Sequence, residues 1–351
     1  MSVHKDKERK TWYVCVRYTD WQGERRTKKK RGFKLEREAK AWEAEFLRTT
    51  ARSCDMSFES MVKIYLEDME HRLKAYTMKT KRNLINSSIL PFFGKLPLDE
   101  ITPAHVRKWH NELMKNKFAP TYLKTLHAQL SAVFNYAGKF YGLRENPARI
   151  AGSIGSVKSE EPMKFWVPEE FERFIAFVEP PQARVGFMVM FWSGLRVGEL
   201  LALCPEDIDL DAGIIHVTKS IQIMDKQEVI TPPKTKKSRR DVPIPKKLCA
   251  ELRSLLEKTY QPEPGMRIFP HTKTWFYVQM EKGSAAAGLT KIRLHDLRHS
   301  YASMLINNGV PVLQVSELLG HENIETTLNT YSHLYKKTTE DAVKMLNLLM
   351  K

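Results

Sequence analysis

The sequence predicts a multidomain, mainly α protein with small β elements. Three observations carry that expectation. The chain has 351 residues, more than one domain of ordinary size. Apolar residues recur at helical spacing through its middle and C-terminal stretches. The period-2 alternation of strands is confined to the N-terminal residues and to short stretches between positions 213 and 244.

Residues 1–53 are predicted to form a three-stranded sheet backed by one helix. Trp12, Val14, Val16 and Tyr18 alternate with Tyr13, Cys15 and Arg17. Residues 20–24 make a hairpin-turn candidate. Residues 25–31 follow as a second strand dense in cations, and Gly32-Phe33 begins a third short one. Leu35, Ala39, Trp42 and Phe46 then recur at spacings of four, three and four, the stripe of an amphipathic helix. Through position 50 this segment carries 15 basic and 8 acidic residues, a local +7.

Residues 57–150 are helical throughout. Phe58, Met61, Val62, Tyr65, Leu66 and Met69 mark one helix, and residues 77–89 a second. The stretch from Pro91 to Leu98 breaks the pattern. Thr102-Pro103 caps and opens a third helix through Val106, Trp109 and Leu113. Leu123, Leu126, Leu130, Val133, Phe134 and Ala137 give a long fourth stripe. Residues 151–162 are small, polar and broken by glycine, the composition of a linker. Residues 163–351 form a mostly helical third domain with one β-insertion at 213–219, 228–232 and 240–244.

The balance of 57 Lys and Arg against 41 Asp and Glu leaves +16, which points to a polyanionic partner, nucleic acid first. Cys15, Cys54, Cys204 and Cys249 have neither zinc-site nor disulfide-framework spacing, so reduced thiols in a cytoplasmic protein are expected. The longest apolar run, 185–192, is far shorter than the roughly 20 residues that span a bilayer, and the first ten residues lack the apolar core of a signal peptide. No Asp/Glu cluster has metal spacing and no phosphate-binding glycine loop occurs, so neither a metal nor a cofactor is expected.

Five residues spread over 136 positions suit one chemistry. They are Arg196 in Ser193-Gly194-Leu195-Arg196-Val197-Gly198-Glu199, His295 and Arg298 in His295-Asp296-Leu297-Arg298-His299, His321 after Leu319-Gly320, and Tyr331 in Asn329-Thr330-Tyr331-Ser332-His333. Arginine stays ionised, and its planar fork donates two parallel bonds to phosphate oxygens. Histidine exchanges protons near neutral pH. Tyrosine can attack phosphorus once its proton is removed. In this order and with this flanking text the set resembles the tyrosine recombinases, the phage-integrase family. The chain is most similar to the three-domain integrases of temperate phages and integrative conjugative elements. Ten positions separate His321 from Tyr331, one more than in many members, which leaves Tyr335 as a rival nucleophile.

The resemblance covers nearly the whole chain. It implies an arm-type DNA-binding domain at 1–53, a helical core-binding domain at 57–150 and a mixed α/β catalytic domain at 163–351. It implies a site-specific recombinase that integrates and excises a mobile element through a 3′-phosphotyrosyl intermediate, with Tyr331 as nucleophile and no ATP or metal. Arg196, His295, Arg298 and His321 hold the phosphate, and Glu199, three residues after Arg196, orients that arginine. The family's catalytic lysine falls at Lys234 in the basic turn 232–245, with Lys236 and Lys237 as neighbours. His299 and His333 are expected in supporting roles. Arg17, Arg25, Arg26, Lys28, Lys29, Lys30 and Arg31 are the candidate DNA contacts of the arm sheet. The partners implied are double-stranded DNA attachment sites, a homotetramer on synapsed DNA, an excisionase and a DNA-bending protein, at the nucleoid of a bacterial host. The apolar stripe of Ala342, Met345, Leu346, Leu348 and Leu349 either closes its own core or docks on a neighbouring protomer. A type IB topoisomerase, which shares the chemistry, and a non-catalytic DNA-binding derivative of the fold are the alternatives.

Overall fold

The computed structural model describes residues 2–6, 11–19, 25–50, 56–156, 162–224, 227–233, 236–258 and 265–350. The chain falls into two compact units, Met1–Glu161 and Pro162–Lys351. Among the described residues no helix is long and apolar enough to cross a membrane.

The first unit opens with an antiparallel sheet of β1 (Val3–Asp6), β2 (Thr11–Thr19) and β3 (Arg25–Phe33), in that order, followed by α1 (Glu36–Thr50). Val14 and Val16 are buried with Ala39, and Trp12, Phe33, Trp42 and Phe46 pack around them. The alternation thus sends one sheet face to the helix, as its period requires. The third strand is not Gly32-Phe33, as expected, but Val3–Asp6. An edge strand half-exposed on both faces has no reason to alternate, so its charged sequence hid it. Gly32 instead sits in a bulge: Trp12 pairs with Phe33 and Tyr13 with Arg31, leaving Gly32 as the extra residue at φ 94°. The expected turn at 20–24 lies outside the described residues. Leu35 is exposed and precedes α1 rather than joining its buried stripe.

Four helices of the bundle follow the predicted stripes. They are α2 (Phe58–Glu70), α3 (Ala75–Leu84), α5 (Pro103–Lys115) and α6 (Pro120–Tyr141), with two short helices, α4 (Leu90–Phe93) and α7 (Pro147–Ala151), at the joints. Phe58, Trp109, Phe134 and Ile85 are buried in one core. Thr102 caps α5 from its side chain, and His105 closes the box. Pro91 does not end the helix outright. The chain widens into a π-turn at Ile85–Ile89, and the Trp109 indole N–H donates to the Ser88 carbonyl at 2.9 Å. A proline cannot donate to a carbonyl of the preceding turn, and the widened turn just before Pro91 lies where that α-helical ladder is interrupted.

The second unit runs through α8 (Pro168–Ala176), α9 (Pro181–Ser193) and α10 (Val197–Ala202) into a β-insertion. The insertion holds two sheets: β4 (Ile208–Asp209), β5 (Ile214–Val217) and β8 (Arg240–Pro243) in one, and β6 (Ser220–Met224) with β7 (Gln227–Thr231) in the other. The expected three stretches missed β6. The helices α11 (Lys246–Glu257), α12 (Lys273–Ala286), α13 (Asp296–Asn307), α14 (Val312–Leu319), α15 (Ile324–Tyr331) and α16 (Lys336–Leu349) complete it. A large core around Phe171, Phe187, Leu200 and Phe276 carries α9 and α10. A smaller cluster of Tyr301, Ala302, Ile306, Val315, Leu319 and Tyr331 joins α13, α14 and α15.

Candidate active site

Arg196 stands on a glycine turn. Gly194 caps α9 with φ 64°, and a Cβ there would meet Tyr301 Cδ1 at 2.5 Å, so neither the backbone nor the space admits a larger residue. Arg196 is the N-cap of α10. The Glu199 carboxylate accepts its backbone N–H at 2.9 Å and its Nη1 at 2.8 Å.

The same carboxylate binds a second arginine. Arg240 Nη2 lies 2.9 Å from Glu199 Oε2, and Arg240 Nε donates to the Leu318 carbonyl at 2.7 Å. Burial alone would raise the Glu199 carboxyl, but Arg240 and then Arg196 outweigh it and hold it at about 2. The expected role of Glu199, orienting Arg196, therefore extends to tying α10 to β8 and the end of α14. Arg240 was not among the expected site residues. Its signal was present: Val242, two residues on, is buried, so strand alternation turns Arg240 inward as well.

Arg298 sits in the first turn of α13, 2 % exposed. It donates from Nη1 to the Gly194 carbonyl at 2.8 Å and from Nη2 to the Leu319 carbonyl. Burial, then the charges of Arg196 and Arg240, lower it to about 9, so it stays protonated at neutral pH. His295 is the N-cap of α13. Burial, then His299, Arg298 and Arg196, push it down to about 4, against a smaller opposing pull from Asp296.

Gly320 ends α14 at φ 65°, where a Cβ would meet Arg240 Cδ at 3.0 Å, and the turn delivers His321. His321 Nδ1 lies 2.8 Å from Thr327 Oγ1. Burial, then Arg298, Arg196, Arg240 and His295, lower its ring to about 3. Tyr331 ends α15, 1 % exposed, with its phenol 2.7 Å from His299 Nδ1. Burial raises the phenol well above its usual value of about 10. The Arg298 charge opposes that rise and Asp296 adds to it.

The second unit thus brings Arg196, His295, Arg298, His321 and Tyr331 into one electrostatic neighbourhood, with Glu199 behind them. Lys234 lies outside the described residues, as do the side chains of Lys236, His333 and Tyr335. Lys237 donates to the Glu322 carbonyl at 3.0 Å, beside His321. The seven arm residues lie in the first unit. All seven are exposed. Cross-strand register divides them: Arg17, Arg25, Lys29 and Arg31 share a face with Tyr13 and Cys15, while Arg26, Lys28 and Lys30 share the helix-side face with Val14 and Val16. Lys29 lies over the Tyr13 ring, and Lys30 over Phe33 and Trp42.

Three guanidinium groups share the single carboxylate of Glu199, an excess of positive charge suited to a charged oxyanion, and a buried phenol stands beside Arg298. Known proteins agree. The phage integrase family matches residues 164–338, the phage integrase N-terminal SAM-like domain residues 57–114, and an arm DNA-binding domain residues 2–50. The chain is 35% identical over 332 residues to the ICEBs1 integrase of Bacillus subtilis, covering 90% of this chain and 89% of the relative. It is 27% identical over 357 residues to a XerC-like tyrosine recombinase of Caldanaerobacter subterraneus, 90% of each chain. Its fold is shared by the Tn1549 transposon integrase in complex with a circular intermediate DNA (TM-score 0.70, 19% identity, 83% of this chain and 99% of that one). It is also shared by a lambda integrase dimer bound to a core site (TM-score 0.62, 16% identity, 94% of each). The chain belongs to the phage integrase family: it is a tyrosine recombinase, an enzyme that transfers DNA strands.

Proposed function

We propose that this integrase cuts DNA with Tyr331 and rejoins it to a new partner, integrating and excising a mobile element. The observation that carries the reading is that Arg196 and Arg298, 102 residues apart in sequence, act together on His295 and His321, while Arg298 also acts on the buried Tyr331. Arg196 and Arg298 neutralise the non-bridging oxygens as charge builds on a five-coordinate phosphorus. His321 donates to a phosphate oxygen, and His295 contacts the phosphate and exchanges protons with it. Lys234 protonates the leaving 5′ oxygen. The product is a 3′-phosphotyrosyl bond that keeps the phosphodiester energy, so rejoining needs no ATP.

Under the same reading the chain divides into an arm domain at 1–53, a core-binding domain at 57–150, a linker at 151–162 and a catalytic domain at 163–351. The partners are attachment sites of two kinds, four copies of the chain on synapsed DNA, an excisionase and a DNA-bending protein, in the cytoplasm at the nucleoid. The sheet register favours Arg17, Arg25, Lys29 and Arg31 as the arm's DNA contacts over Arg26, Lys28 and Lys30. Met345, Leu346, Leu348 and Leu349 of α16 are each more than half exposed, which favours docking on a neighbouring protomer.

The test is Tyr331→Phe on a nicked suicide substrate. Covalent adduct should vanish while DNA binding persists. Adduct that survives Tyr331→Phe and is lost in Tyr335→Phe would move the nucleophile to Tyr335.

A further inference from the structure

We infer that His299, rather than His295, is the base that takes the phenolic proton of Tyr331 during strand cleavage. The inference rests on Tyr331 being the nucleophile. It starts from geometry. His295 and His299 lie four residues apart on α13, hence on one face of the helix, and their rings stand edge to face with centroids 5.0 Å apart. Of the two, His299 is the one that reaches the nucleophile: its Nδ1 is 2.7 Å from the Tyr331 oxygen, within the reach that proton abstraction requires. The His299 ring also packs edge to face on Tyr331, with centroids 5.8 Å apart, which fixes its approach.

The electrostatics give both groups the right starting states. The raised phenol is protonated at neutral pH and cannot attack unaided. Burial holds His299 below the usual imidazole range, so its ring carries a lone pair. The charged groups acting on His299 are Asp296 from its own helix, which favours the protonated ring, and Arg293 and Arg298, which oppose it. Asp296 is 1 % exposed and bound by Arg293, so it offers a fixed negative charge to an imidazolium formed beside it.

The step balances. The Tyr331 oxygen forms its bond to phosphorus as its proton passes to His299 Nδ1. The bond from phosphorus to the 5′ oxygen breaks, and that oxygen leaves with the electron pair and takes a proton from the general acid. On rejoining, the 5′ hydroxyl attacks phosphorus as its proton returns to the group that served as general acid, and the departing Tyr331 oxygen recovers its proton from His299. His295 is then left to the phosphate.

The experiment measures single-turnover adduct formation by the full chain on a suicide substrate, with an ordinary and with a sulfur-bridged 5′ leaving group. Sulfur leaves without a proton, so it bypasses the general acid but not the base. His299→Asn keeps a hydrogen-bond acceptor that cannot take the proton. It should bind DNA normally, cleave about a hundredfold or more slowly on both substrates, and gain about tenfold per pH unit between pH 7 and 9. His299→Ala should recover rate with added imidazole, a readout that a packing role would not move and that remains available if one variant melts early. A His299→Asn enzyme with wild-type rate and pH profile overturns the assignment, and so does full rescue by the sulfur substrate. Tyr331→Phe run in parallel separates the two readings: adduct surviving there refutes the nucleophile, whereas adduct lost there but normal in His299→Asn refutes only the base.

Discussion

The helical bundle of the first unit and the catalytic unit both bury polar side chains, on different terms. The bundle buries two histidines, His110 and His127, joined ring to ring at 3.0 Å. Burial lowers both below the usual imidazole range, His110 to about 4, with His127 and Arg107 adding to the effect on His110 and Lys124 to that on His127. The pair is neutral, and the core around it is otherwise aliphatic and aromatic. The catalytic unit instead buries charge: Glu199, Asp296 and Arg298 are each nearly inaccessible, and each is paired or hydrogen-bonded. A neutral buried pair has only to avoid losing hydrogen bonds. Buried ions must be matched, because an unmatched one costs several kcal/mol. Polarity in the bundle is therefore a matter of stability alone, whereas in the catalytic unit the bonds that match buried charge are also those of the proposed site.

The largest effect is expected where those two roles coincide. Glu199→Ala leaves Arg240, whose side chain is 6% exposed, without its carboxylate. It should cost about 3–5 kcal/mol in denaturant unfolding and also slow cleavage by the fraction that still folds. Normal stability with normal cleavage would sink the matched-charge account. Arg196→Ala should lower single-turnover cleavage about a hundredfold to a thousandfold, the scale of losing one oxyanion donor, with only modest loss of DNA binding. Collapse of binding with normal cleavage at saturating DNA would make Arg196 a positioning contact only.

The bundle should answer to pH alone. Both folded histidines titrate below the unfolded value of about 6.5. Their contribution is complete above that pH. It is lost as pH falls towards about 4, because the unfolded chain takes up protons that the folded pair refuses. Between pH 7 and 4.5 the wild type should lose about 2–3 kcal/mol more than a His110→Leu, His127→Leu double variant. Equal losses in both proteins would show the pair to be irrelevant, since the catalytic histidines titrate in the same window and remain in each. Smallest of all, Thr102→Ala removes a helix cap and should cost about 1 kcal/mol without altering the cleavage rate per folded molecule. A change in that rate would break the separation between the two regions.

Much of this was legible in the chain. The stripes of α2, α5 and α6 and the alternation of β2 are local patterns, and local patterns survive folding because the core is built from them. The Thr102-Pro103 cap was readable for the same reason. Motif order picked out Arg196, His295, Arg298, His321 and Tyr331 as a candidate set, and the second unit gathers them in one electrostatic neighbourhood. β1 escaped because it is four residues long and only Val3 packs on the core, too little to write a period into its sequence. β6 escaped because it buries Ile221 alone while Ile223, on the same face, is exposed, so no alternation is written into it. The π-turn before Pro91 escaped because the same residues read equally well as an ordinary helix that stops.

The sequence by itself determined which residues could make a phosphoryl-transfer site and which long, strongly periodic segments would be helix or strand. Spacing, side-chain chemistry and period are properties of the linear chain. Only the tertiary structure decided how those residues are paired. Glu199 meets Arg240 across 41 positions and His299 meets Tyr331 across 32. The register of β2 against β3 sorts the arm's basic residues onto two faces. No local pattern encodes such pairings. They follow from which elements pack together and from the cost of burying a charge or a phenol without a partner, and that cost exists only once the chain has folded around it.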